Sequence, residues 1–209
     1  MKLKEGADPN TRYLASVDMS QTRVFALGLA GMYLNIKGRE AEGIVEPEDA
    51  DALREELAEK MSGLIDPENG EVAINTLYIS RKIYHGPYKD EAPDLIPGYN
   101  DGYRVSWEAA VGQITESAFH DNKKAWSGDH CVDPKLVPGV MFANRVIEGD
   151  HPRLMDLGPT TLQMFGVDVP DYMDGRPLTV GEPGARAVAV PTPEPPSAAV
   201  GAAAQEQTP

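Results

Sequence analysis

The stretch Val24-Phe25-Ala26-Leu27-Gly28-Leu29, resumed after Ala30-Gly31 by Met32-Tyr33-Leu34-Asn35-Ile36, is apolar, rich in β-formers and broken by small residues. It reads as two strands interrupted at the Ala30-Gly31 pair. Lys37-Gly38-Arg39-Glu40 then turns the chain, and from Pro47 to Leu64 the period changes. Leu53, Leu57, Met61 and Leu64 recur at i, i+4, i+8 and i+11, the spacing of one helical face, and Pro47 suits a first helical position. A turn at Asp66-Pro67-Glu68-Asn69-Gly70 leads into Val72 to Ile79, which alternates as a strand does. Shorter strands are expected at 94–99, 103–107 and 140–144, and a short helix at 159–166 between Pro159 and Gly166. Strand-like and helix-like stretches alternate without an internal repeat, so the expected class is α/β or α+β.

Bulk properties narrow the rest. A chain of 209 residues with 41% hydrophobic content can bury one sizeable core, so one folded unit is expected over 1–180. After Gly181 the composition turns to Pro, Ala, Gly, Gln and Glu, and residues 181–209 are expected to be a disordered tail, because such a segment buries too little apolar surface to offset its ordering entropy. Nineteen Lys and Arg against 33 Asp and Glu leave a formal charge of -14, which argues against a nucleic-acid partner. Cys131 is the sole cysteine, and no run approaches the roughly 20 apolar residues of a membrane helix. A soluble, cytoplasmic protein without a membrane partner is the default expectation.

No phosphate loop, CxxC pair, HExxH or nucleophile elbow occurs. The densest chemistry lies in Trp126-Ser127-Gly128-Asp129-His130-Cys131-Val132-Asp133-Pro134. A loop histidine between Gly and acidic residues suits a metal ligand, although a catalytic metal ordinarily takes three protein ligands and a single loop histidine is more often structural. Asp129 and Asp133 either orient His130 or cap turns. Cys131 reads as a small thiol rather than a nucleophile, and Lys37, Arg39 and Glu40 as a solvated turn rather than a phosphate contact. Trp107 and Trp126 read as packing groups, and His85, His120 and His151 as structural.

Three segments carry a family resemblance. TRVFALGLAGMYLNIKGREAEGIV (22–45) resembles the segment that follows the metal-binding Asp-His-Gly motif of type I phosphodiesterase/nucleotide pyrophosphatase proteins, within the alkaline phosphatase superfamily. WSGDHCVDPKLVPGVMFANR (126–145) is similar to their last metal-ligand loop. MDLGPTTLQMFGVDVPDYMDGRPL (155–178) resembles a closing helix and loop shared across the superfamily, sulfatases included.

The resemblance implies an α/β fold with a central mixed or parallel sheet flanked by helices, of which this chain is the C-terminal part and the N-terminal half is missing. It implies two metal ions, usually zinc, that activate a Thr or Ser nucleophile and clamp the phosphate of a small phosphoric ester. His130 matches the final metal-ligand histidine. No Asp-His-Gly is present, so no catalytic residue is assigned and the chain is expected to be inactive alone. A gene fragment or misplaced start is favoured over one half of a split enzyme and over a stand-alone binding domain. The missing half or an oligomer would complete the fold. The alternative is a non-catalytic interaction protein that keeps the fold as a scaffold.

Overall fold

The computed structural model describes residues 1–8, 11, 13–115, 117–126, 128–129, 131–149 and 151–183, with the side chain of Pro183 excepted. They form two compact units, which divide between Pro138 and Gly139, where one unit over 1–180 was expected.

In the first unit the opening apolar stretch forms a hairpin. Strand β1 (Val24–Leu27) pairs antiparallel with β2 (Gly31–Leu34), Val24 facing Leu34 and Leu27 facing Gly31. The break falls at Gly28-Leu29-Ala30, and Gly28 takes φ +82°, a conformation that costs a residue with a Cβ more than it costs glycine. Pro47 then opens a 3-10 turn, Pro47–Asp49, which runs into helix α1 (Ala50–Met61). Of the expected apolar stripe, Leu53 is in the core with Leu57 and Met61 packed beside it, while Leu64 falls beyond the helix, which ends at Met61. Strands β3 (Leu64–Ile65) and β4 (Val72–Ile79) follow, then a one-turn helix α2 (Ser80–Ile83) and β5 (Leu95–Tyr99).

The sheet order is β1-β2-β5-β4-β3, and every adjacent pair is antiparallel. The class is mixed α and β, but the mixed or parallel sheet implied by the resemblance is not what these strands form. The reason lies in the connections. A parallel crossover carries the chain across the sheet, commonly through a helix. Between β4 and β5 the chain instead reverses through α2 and a 3-10 turn, bringing Ile79 opposite Leu95.

Helix α1 covers one sheet face, where Leu34, Leu53, Leu77, Ile79 and Leu95 form the core. On the opposite face Phe25 stacks on Tyr33, ring centroids 5.6 Å apart, and Ile96 and Tyr78 are half-buried. The expected strand at 103–107 does not form. Ser106 Oγ accepts a hydrogen bond from Ala109 N at 2.9 Å and caps the one-turn helix α3 (Trp107–Ala110).

In the second unit β6 (Arg145–Glu148) pairs antiparallel with β7 (Thr179–Pro183), so a strand extends past the boundary at residue 180 drawn from composition. Residues 184–209 lie outside the described residues. No strand forms at 140–144, where Val140 and Phe142 are exposed. The expected closing helix is α4 (Leu157–Met164), preceded by a 3-10 turn. Asp156 ties this unit together. Its carboxylate accepts the backbone N–H groups of Arg153 (2.9 Å) and Arg176 (3.0 Å), while Leu178 N donates to Thr160 Oγ1 at 2.9 Å.

Among the described residues no helix is long and apolar enough to cross a membrane.

Candidate functional site

The loop singled out by its chemistry is fastened to the C-terminal end of β5. Val132 bridges Tyr99, the last residue of that strand, and Asp133 N donates to Tyr99 O at 2.9 Å. Asp133 is fully buried. Its Oδ1 accepts Tyr78 Oη (2.9 Å) and Lys135 N (3.0 Å), the latter capping the 3-10 turn Pro134–Leu136. Its Oδ2 lies over Gly98 and has no hydrogen-bond partner among the described residues. The turn-capping reading therefore describes Asp133, with the Tyr78 hydroxyl added. Burial, and then the Asp133 carboxylate, push the Tyr78 phenol above its ordinary value.

Asp129 sits at the other end of the loop. Arg104 Nε approaches its Oδ2 at 3.2 Å, and Cys131 N donates to its Oδ1 at 3.1 Å. Arg104 Nη1 also donates to Gly128 O at 3.2 Å, and its guanidinium lies 4.3 Å from the centre of the Trp107 ring. Burial pushes the Cys131 thiol up, and the Asp129 carboxylate adds to this, which disfavours a thiolate. Burial also raises Tyr99, to about 12, with Cys131 and Asp129 contributing. His130 lies outside the described residues.

Other candidates fare differently from the sequence reading. Arg39 lies in an exposed turn, but its guanidinium is engaged: its Nη2 donates to Asp94 Oδ2 at 2.6 Å and to Leu34 O at 2.7 Å. Arg54, buried on α1, donates to Asp94 Oδ1 at 2.5 and 3.0 Å. Burial would raise Asp94, but Arg39, Leu34 N and Arg54 together hold its carboxyl below the ordinary value. This cluster stabilises the core and leaves Arg39 committed. Trp126 is 76% exposed rather than a packing group. His120 stands 3.8 Å from Glu108, beside Lys124 at 3.6 Å from the same residue.

A cleft of about 880 Å³ opens beside the loop, within the first unit. Met32, Pro97 and Tyr99 of the sheet line it together with Met61 at the end of α1. Tyr103, Arg104 and Trp107 also line it. Sequence reading passed over Arg104, Tyr99 and Tyr78. The signal available was the aromatic and polar run Tyr99-Asn100-Asp101-Gly102-Tyr103-Arg104, a composition more typical of a site than of a strand.

Asp129 is ion-paired with Arg104, Asp133 accepts the Tyr78 hydroxyl, and no group of three or more His, Cys, Asp and Glu among the described residues is placed to hold a metal ion. No family model, no curated protein and no solved structure matches this chain.

Proposed function

We propose that the chain contributes part of the active site of a metal-dependent phosphoric-ester hydrolase resembling type I phosphodiesterase/nucleotide pyrophosphatase proteins, and that it is inactive alone. The observation that supports this is the attachment of Val132 and Asp133 to Tyr99 at the C-terminal end of β5, Tyr99 lining a cleft of about 880 Å³, with Arg104 reaching both loop and cleft. In this reading His130 is a metal ligand, Asp133 and Tyr78 hold the loop at its strand, and Arg104 fixes Asp129. The nucleophile and the remaining ligands come from a segment bearing an Asp-His-Gly motif, which residues 1–209 lack.

The test is hydrolysis of bis(4-nitrophenyl) phosphate with added zinc. The purified chain alone gives no turnover. A chimaera in which a family member's Asp-His-Gly-bearing N-terminal segment precedes Met1 turns over, and His130→Ala lowers both its rate and its metal content by mass spectrometry. Unchanged rate and metal stoichiometry in that variant defeat the assignment.

A second reading, a non-catalytic interaction protein, draws on the apolar groups left at the surface. Phe142 is 95% exposed and Phe165 81%, values that normally mark a contact surface when such residues cluster. An inactive chimaera, together with a stable complex of the chain with a protein partner, would favour it.

A further inference from the structure

We infer that the cleft beside loop 128–133 accepts an uncharged, ring-bearing organic group and rejects a second anionic group. The inference rests on the proposed hydrolase reading only in naming that group: in a phosphoric ester it is the alcohol or aryl leaving group rather than another phosphate.

The walls supply the argument. The floor is apolar, made by Met32, Met61, Ile74 and Pro97, and an aromatic wall of Tyr99, Tyr103 and Trp107 stands beside it. A flat, neutral group buries its area against such surfaces at little desolvation cost. The lining also carries the carboxylates of Asp66, which is buried, and of Glu68, Glu71, Glu108 and Asp121. Against these five stand three permanent cations, Arg104, Lys123 and Lys124. Arg104 is opposed by Asp129 from outside the lining at 3.2 Å, and Lys124 pairs with Glu108 at 3.6 Å, which leaves four carboxylates facing Lys123.

The cleft thus presents a negative field between low-dielectric walls, which focuses repulsion on an entering anion. The Tyr103 hydroxyl is already engaged, donating to Asp66 Oδ2 at 3.1 Å and accepting from Asn69 Nδ2 at 2.9 Å, so this residue offers its ring face rather than a free polar group.

The test compares two probes that share one ring, 4-nitrobenzyl alcohol and 4-nitrobenzyl phosphate, titrated against the full chain by ligand-observed NMR at low salt. The alcohol is expected to bind about tenfold more tightly than the phosphate, with the gap narrowing as salt screens the rim. Ala118→Trp, at an exposed position on the cleft wall, should fill the space and abolish binding of the alcohol. Glu68→Lys combined with Glu71→Lys, both exposed, should strengthen binding of the phosphate relative to the alcohol. Equal or tighter binding of the phosphate by the natural chain, absence of alcohol binding, or alcohol binding indifferent to Ala118→Trp each overturns the inference. Alcohol binding that follows this pattern alongside an inactive chimaera would retain the cleft assignment and discard the hydrolase reading.

Discussion

Arg54 and Asp94 meet inside the first unit, both almost fully buried, with two guanidinium nitrogens of Arg54 donating to the single oxygen Oδ1 of Asp94 at 2.5 and 3.0 Å. The other oxygen, Oδ2, takes Arg39 Nη2 and the backbone N–H of Leu34. One carboxylate therefore joins α1, the 37–40 turn, β2 and the start of β5.

Removing one partner of a buried pair leaves the other charge uncompensated, at a cost of about 3–5 kcal/mol. Arg54→Ala and Asp94→Asn are each expected to lower the unfolding free energy by that amount, read as a lower urea midpoint at unchanged slope. Arg39→Ala, at a side chain one-third exposed, should cost about 1 kcal/mol. Equal losses for Arg39 and Arg54 would contradict the ranking.

Gly98 and Asp133 form a second tight contact. A Cβ at residue 98 would lie 2.9 Å from Asp133 Oδ2 and 3.0 Å from the Tyr78 ring. Gly98→Ala should destabilise by about 1–3 kcal/mol and push the loop off β5. The reporter is hydrogen exchange at the Asp133 amide, bonded to Tyr99 O, which should accelerate. Unchanged protection there would show that the loop is held by other contacts.

Asp156 predicts an acid limit for the second unit. The backbone N–H of Arg176, then that of Arg153 and its side chain, lower its carboxyl from 3.8 to about 2. A depressed folded value stabilises above the unfolded value and is lost as pH falls through the folded one. Stability of residues 139–183 should therefore be level above pH 4 and decline between about 4 and about 2. NMR titration of the Asp156 carboxyl reads this directly. A midpoint near 3.8 would remove the proposed bonds.

The apolar surface makes a prediction of its own. Val140, Phe142, Leu154 and Phe165 are each more than 80% exposed. The chain is expected to bind a hydrophobic dye strongly or to self-associate, and Phe142→Ser with Phe165→Ser should reduce both. A monomer with low dye binding would show that these groups find cover.

Much of the local structure was legible. The 3.6-residue spacing of Leu53, Leu57 and Met61 identified α1 and its buried face, alternation identified β4, and the short strand expected at 94–99 is β5. The misses have local causes. Tyr103, Val105 and Trp107 alternate as a strand would, but the capping hydroxyl of Ser106 starts a helical turn there. Val140 to Phe142 are apolar without being paired, because the partner β7 meets the chain only from Arg145 onward.

By itself the sequence determined the buried face of α1, the turn that Pro47 opens before it, and which loop concentrates His, Cys and Asp. Hydrophobic periodicity encodes a face and not the neighbour that covers it. The antiparallel order, the meeting of Arg39 with Asp94 across 55 positions, and the sharing of Arg104 between loop and cleft are therefore decided only by tertiary structure. Each depends on which surfaces are brought together when the chain reverses. The energy of such a meeting, dominated by burial of charge and loss of water, has no counterpart in any single segment.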